Sequence, residues 1–129
     1  TGVIPIMLNK IDANEAPVIN GDGSQAYDFI TARDTARANV AALKATVSDE
    51  FYNVGTGIQT SIRELCDLIL ELKKSDLEVT YNPYSSEDVR QFVQNRIGSI
   101  HKAEADLGFR YQDGLKQGLL DLIAWREAH

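Results

Sequence analysis

Few residues in this 129-residue chain could move a proton or attack an electrophile. His101 and His129 are its two histidines. Neither has a carboxylate or nucleophile partner legible in the sequence, so both read as surface residues. The five tyrosines, Tyr27, Tyr52, Tyr81, Tyr84 and Tyr111, meet Thr31, Thr56, Ser85, Asp88 and Leu115 four positions on. None therefore has a lysine placed one helical turn away to lower its pKa. Cys66 is the one cysteine. It excludes an internal disulfide and a cysteine-based zinc site, fits a reducing compartment, and sits where a helix would be apolar. Histidine pairs at metal-ligand spacing are absent. No catalytic and no metal-ligating residue is expected.

Phosphate chemistry is better represented. Gly55-Thr56-Gly57 lies between a strand-like and a helix-like stretch, with Thr60 three residues on and Glu78 near the place a dinucleotide fold gives its ribose carboxylate. Against an NAD site stands Thr60, whose branched side chain hinders close helix–strand packing where Gly or Ala is usual. Ser61 also already caps the helix that follows. The loop reads as a turn that uses glycine for backbone shape. Gly21-Asp22-Gly23-Ser24 is a second turn, placed to border a ligand cleft. Arg90, Arg96, Lys102 and Arg110 cluster late in the chain, and arginine suits bidentate phosphate binding. Arg96 stands out because Ile97 and Gly98 follow it as the chain re-enters ordered structure.

The elements that must position these residues alternate between helix and strand. Ile4, Met7, Leu8 and Ile11 share one helical face, with Pro5 in the first turn. Residues 17–20 and 28–31 read as short strands. Asp34 is expected to cap an alanine-rich helix to about residue 46, with Ala36, Val40 and Leu43 inward. Residues 51–54 read as a strand. Ser61 and Glu64 form a capping box for a helix carrying Ile62, Leu65, Cys66, Ile69 and Leu72. Residues 77–81 alternate like a half-buried strand, and 82–98 read as a long polar loop. Ser99 is expected to cap a short helix that Gly108 stops. Leu115, Leu119, Leu122 and Ile123 face inward on the last helix. The class is α/β. The only long regular unit expected, strand 51–54, helix 61–74 and strand 77–82, is a poor sheet alone and looks like part of something larger.

Composition bounds the partners. Thirteen Lys+Arg against nineteen Asp+Glu leave a net charge of −6. That argues against nucleic acid and anionic membrane. No run approaches a membrane span and no signal peptide is visible, so a cytoplasmic protein is expected. The length suits one compact domain over residues 1–129. Starting at Thr1 rather than Met, the chain is expected to be trimmed or to begin mid-protein.

Three segments together carry a resemblance. The first runs from Pro17 to Ile30, through Gly21-Asp22-Gly23 and Tyr27-Asp28-Phe29, into Arg33-Asp34-Thr35-Ala36-Arg37. The second is Tyr52-Asn53-Val54-Gly55-Thr56-Gly57 with Thr60 to Leu65. The third is Lys102-Ala103, Leu107-Gly108-Phe109, Gly118-Leu119 and Trp125. The ordered set resembles the C-terminal portion of extended short-chain dehydrogenase/reductases, the NAD-dependent nucleotide-sugar epimerases and dehydratases. The resemblance implies a small mixed α/β substrate-binding portion lacking the N-terminal Rossmann domain, where NAD and the Tyr-x-x-x-Lys pair belong. It implies NAD in the parent enzyme and no cofactor in this chain. Val18, Ile19 and Asn20 would hold the nucleotide base through their backbone. The position where the family grips the diphosphate with arginine is Tyr27, and Ser85 to Val89 lack the second arginine. Arg90 or Arg96 would substitute; otherwise the specificity differs or the site has decayed.

Two readings follow. In the first, the chain is the nucleotide-sugar-binding part of such an enzyme, catalytically silent alone, with weak or absent ligand binding. In the alternative, it is a free-standing binding or interaction module descended from that part. In either, an apolar face and an unpaired strand left by the missing Rossmann domain near Phe51–Val54 and Leu77–Tyr81 are expected to favour a homodimer or swapped assembly.

Overall fold

The structure, a computed structural model, describes residues 2–84 and 94–129. Among the described residues, five helices and five short strands are interspersed along the chain, in keeping with the α/β class. The residues fall into two compact units, Thr1–Tyr27 with Thr60–Asn95, and Asp28–Gln59 with Arg96–His129.

In the first unit, α1 (Val3–Asp12) buries Met7, Leu8 and Ile11, the face its spacing prescribes. It packs against α3 (Ile62–Leu72), which buries Ile62, Leu65, Cys66 and Ile69. The capping box that opens α3 is reciprocal. Glu64 N–H donates to Ser61 Oγ at 3.1 Å, and Ser61 N–H donates to Glu64 Oε2 at 2.7 Å. The Ser61 amide and hydroxyl hold the Glu64 carboxyl below its ordinary pKa. At the other end, Lys73 Nζ meets Asp12 Oδ1 at 2.9 Å, joining the last turns of α3 and α1. The Cys66 thiol is fully buried, and burial pushes its pKa up to about 11. It is a core residue, as its place on the apolar face implied.

The first strand, β1 (Val18–Asn20), pairs in parallel with β4 (Thr80–Asn82), Ile19 opposite Tyr81. Thr80 N–H donates to Pro17 O at 2.9 Å and Gly21 N–H to Asn82 O at 2.7 Å, closing the two ends of the ladder. The parallel pair is thus made by β1, so Thr80 and Tyr81 are not the unpaired strand expected there, and residues 51–54, which belong to the other unit, pair with none of the described residues. Next to it, β2 (Ala26–Tyr27) pairs antiparallel with β3 (Thr60–Ser61). The order in that ribbon is β3-β2-β5, with β5 at Asn95–Arg96. The strand expected at 28–31 lies two residues earlier, and 28–31 instead lead into a helix. β5 falls inside the stretch read as a loop.

In the second unit, α2 (Ala32–Lys44) differs from expectation in its cap and its face. Thr31 is the cap: its Oγ1 accepts from Asp34 N–H at 3.0 Å. Asp34 is instead fully buried. Its carboxylate accepts from Gln112 N–H at 2.8 Å and Asp113 N–H at 2.9 Å, and from Arg37 Nη1 at 2.7 Å. Arg37 Nη1 also reaches Asp113 at 2.9 Å. Turning Asp34 inward fixes the helix rotation, so Ala38 is buried, and Ala36, Val40 and Leu43 face solvent. Ala38 packs with Ala103 and Phe109, flanked by Ile30, Tyr52, Val54 and Leu107. A small residue there lets α2 approach α4 (His101–Leu107) closely. Ile100, not Ser99, occupies the cap of α4, and makes no side-chain cap bond. Gly108 stops α4 at φ 63°, as read from the sequence. The last helix, α5 (Leu115–Ala128), buries Leu119 and Ile123.

Burial alone would raise the pKa of Asp34, but the Gln112 amide, the Arg37 guanidinium and the Asp113 amide outweigh it and hold the group below the ordinary carboxylate value. A lowered folded pKa gives stability that is full above the unfolded value of about 3.9 and is lost as pH falls through the folded one. Asp34→Asn should therefore cost about 3 kcal/mol at neutral pH and flatten the acid limb of the stability curve. Urea titrations at a series of pH values check this; parallel acid limbs for native and variant protein would refute it.

Candidate functional site

The residues expected to hold a nucleotide base, Val18, Ile19 and Asn20, form β1 in the first unit. The ladder to β4 uses one edge of this strand. Ile19 points into the core, and Val18 and Asn20 are exposed. The strand runs directly into the Gly21–Ser24 turn. There Asp22 Oδ1 accepts from Ser24 N–H at 2.9 Å and from Ser24 Oγ at 2.6 Å. The Ser24 hydroxyl and amide hold Asp22 below its ordinary pKa. Gln94 Nε2 donates to the same Ser24 Oγ at 2.8 Å, bringing the chain just before β5 onto the turn.

Two close approaches shape this turn. Gly21 has φ 82° and carries the Tyr84 ring; a Cβ there would lie 2.9 Å from Tyr84 Cζ and closer still to two other ring carbons. Gly23 has φ 78°, and a Cβ there would meet Arg63 Cβ at 3.1 Å. Arg63 N–H donates to Gly23 O at 3.1 Å. Its guanidinium lies 5.7 Å from the centre of the Tyr81 ring. Tyr81 is itself the register partner of Ile19. Tyr84, Arg63 and Gln94 thus surround a turn read only as Gly-Asp-Gly-Ser. Their distance along the chain left no signal of it.

Tyr27 lies in β2 opposite Thr60, half-buried, and its hydroxyl donates to Gln25 Oε1 at 3.4 Å. A neutral hydroxyl occupies the place where a cation was expected. Arg90 lies outside the described residues. Arg96 is exposed at the end of β5, in the second unit. Lys102 does not stand free for a ligand: its Nζ meets Glu50 Oε2 at 2.6 Å and Phe51 O at 3.2 Å, and lies 5.0 Å from the Tyr52 ring centre. His101 is exposed, with Glu104 3.5 Å away. His129 stacks on Trp125. Among the described residues no group of His, Cys, Asp or Glu could hold a metal ion, and no helix is long and apolar enough to cross a membrane.

In the second unit Thr56, Gly57 and residues 97–101 line a cleft of about 370 Å³. One wall is the Gly55–Gly57 loop, the only sequence candidate for a dinucleotide. Its amides are already used. Asp28 Oδ2 accepts from Thr56 N–H at 2.9 Å and Gly57 N–H at 2.8 Å, while Oδ1 accepts from Thr56 N–H at 3.1 Å and Thr56 Oγ1 at 2.5 Å. A pyrophosphate needs those same donors. The loop does not fit NAD.

Several known proteins are similar to this chain. Residues 1–55 match the NAD dependent epimerase/dehydratase family. A putative UDP-glucose 4-epimerase of Methanocaldococcus jannaschii is 37% identical over 125 residues, 96% of this chain and 38% of that protein. The UDP-glucose 4-epimerase of Thermotoga maritima, solved with UDP-glucose, superposes with a TM-score of 0.86 at 30% identity, over 99% of this chain and 40% of the other. A UDP-N-acetylglucosamine 4-epimerase of Methanobrevibacter ruminantium, solved with UDP-N-acetylmuramic acid, gives 0.87 at 26% identity, over 99% and 40%. The fold is that of a portion of an extended short-chain dehydrogenase/reductase. The chain resembles the NAD dependent epimerase/dehydratase family over residues 1–55 and spans about 40% of the length of the relatives it matches.

The Gly21 turn gives a direct test. Gly21→Ala must adopt a strained φ and displace the Tyr84 ring, at about 2 kcal/mol. Gly114→Ser, at a helix cap with nothing within 4 Å of its Cβ position, should be neutral or stabilising. Thermal melts compare the two, and equal melting temperatures would show that the turn tolerates a side chain.

Proposed function

We propose that this chain supplies the nucleotide-sugar-binding part of an NAD-dependent epimerase or dehydratase. The observation that carries the proposal is the superposition, over 99% of this chain, on an epimerase solved with UDP-glucose. The base lies against the backbone of Val18, Ile19 and Asn20, at the strand end that Gly21 and Tyr84 hold still. Backbone groups suit this task because their positions are set by the β1–β4 ladder and cost no side-chain ordering on binding. Tyr27 offers a hydroxyl to the diphosphate.

NAD supplies hydride acceptance and return, and in this proposal it binds to the Rossmann domain of the parent protein. These residues bind and orient; they do not transfer the proton or hydride. No tyrosine here has its lysine, and the one glycine-rich loop has its amides on Asp28. Titration of UDP-glucose into the 15N-labelled chain should move the amides of residues 18–20 and 27 at millimolar ligand, and Tyr27→Phe should weaken the effect. Shifts confined to other residues, or NAD-dependent turnover of a nucleotide-sugar by the chain itself, would overturn the proposal.

The second unit supplies the docking surface for that domain. Val40, Leu43 and Phe51 are exposed, Leu43 and Phe51 at 85% and 92%. Residues 51–54 pair with none of the described residues. Phe51 and Tyr52 are held in place by Lys102, and Tyr52 also by Asp106 through a 3.0 Å hydrogen bond. An apolar helix face beside an open strand fits the edge of a β-sheet. With that sheet absent, copies of the chain are expected to associate. Light scattering should give a mass that rises with concentration, and Leu43→Glu should suppress the rise. A monomer at every concentration would contradict this surface.

A further inference from the structure

The Gly55–Gly57 loop has a feature that the nucleotide-sugar reading does not use. Each of its three residues is fitted to one carboxylate. At Gly55 a Cβ would collide with Asp28 Oδ2 and lie 3.2 Å from its Cγ, so only glycine lets the carboxylate in. At position 56 both the amide and the hydroxyl donate to Asp28. At Gly57 the N–H donates to the same carboxylate at 2.8 Å, and φ is 75°, a conformation open to glycine. Thr56 Oγ1, while donating to Asp28, accepts from Ile58 N–H at 3.0 Å, which fixes its hydroxyl direction. Thr56 is 7% exposed. Every donor is neutral. Among the described residues, no lysine or arginine donates to Asp28.

We infer that the Gly55–Gly57 loop is a carboxylate receptor whose resident ligand is Asp28. It retains an anion-binding loop's form, two convergent amides and a hydroxyl between glycines, with the anion supplied internally from 28 residues earlier in the chain. Two oxygens of a planar carboxylate take up four donor contacts. A tetrahedral phosphate would leave its further oxygens without partners in a site whose described residues include no cation. The ligand class is therefore a small monocarboxylate. The internal carboxylate closes the loop to dinucleotides and fixes the Thr56–Gly57 wall of the cleft. Asp28 is thus a positioning residue for that wall. This inference stands apart from the nucleotide-sugar proposal, since its test uses no nucleotide.

Asp28→Ala empties the receptor while leaving the loop's own residues intact. Sodium formate should then raise the melting temperature of Asp28→Ala by about 4 °C more than equimolar sodium chloride, saturably. The native chain should respond equally to the two salts. Inorganic pyrophosphate should leave the Thr56 and Gly57 amide resonances of the native chain in place. An equal response of variant and native protein to formate, or pyrophosphate shifts at those amides, would overturn the inference. Should Asp28→Ala fail to fold, Asp28→Asn decides it. An asparagine keeps one acceptor oxygen and turns a donor toward the other amides, so at least one of the Thr56 and Gly57 amide protons should move upfield. Both unmoved would refute the assignment.

Discussion

A carboxylate without water must have its charge met by donors from the chain, and Asp34 meets that demand in a way that organises the second unit. Its oxygens collect the amides of Gln112 and Asp113 and the guanidinium of Arg37. One buried side chain thereby ties the start of α2 to the segment that leads into α5. It also sets the rotation of α2 about its axis. With Asp34 facing in, Ala38 meets Ala103 and Phe109, and the larger Val40 and Leu43 are turned out. Hydrophobic periodicity alone would favour the opposite rotation. Several charge-assisted hydrogen bonds on one residue outweigh the burial of two aliphatic side chains, because leaving that carboxylate unpaired would cost more than leaving those side chains wet.

The same device recurs at smaller scale. Asp28 binds the Thr56 and Gly57 amides, Glu64 binds the Ser61 amide, and Asp22 binds the Ser24 amide. Each acid satisfies backbone donors at a place where no ladder or helix can. This bears on function. A loop whose amides hold Asp28 is closed to a dinucleotide. A strand such as β1, with its turn braced by Tyr84, Gln94 and Ser24, keeps a backbone edge in a fixed place.

Local patterns were legible where neighbours in sequence are also neighbours in space. The face of α1, the capping box and core face of α3, the stop at Gly108 and the inward Leu119 and Ile123 all depend on contacts a few residues apart or on one apolar stripe. Of the site, β1 and the Gly-Asp-Gly-Ser turn could be read for the same reason. Residues 51–54 have strand composition, but a strand needs a partner, and none of the described residues pairs with them. β2 is two residues long, and β5 is equally short. Such strands leave almost no periodic signal and are set by the neighbour they pair with.

The sequence by itself determined the α/β class, the two well-capped or well-striped helices of the first unit, the core role of Cys66 and the family resemblance that the comparisons bear out. Those features are written in short-range spacing and in ordered motifs. Only the tertiary structure decided that Thr31 caps α2 and Asp34 does not, that β1 is the parallel partner of β4, that Tyr84 rests on Gly21, and that Asp28 fills the Gly55–Gly57 loop. Each of these joins residues far apart in the chain. The donors and acceptors involved can be paired in many ways on paper, and packing selects one, because a buried polar group without its partner is more costly than any local preference it overrides.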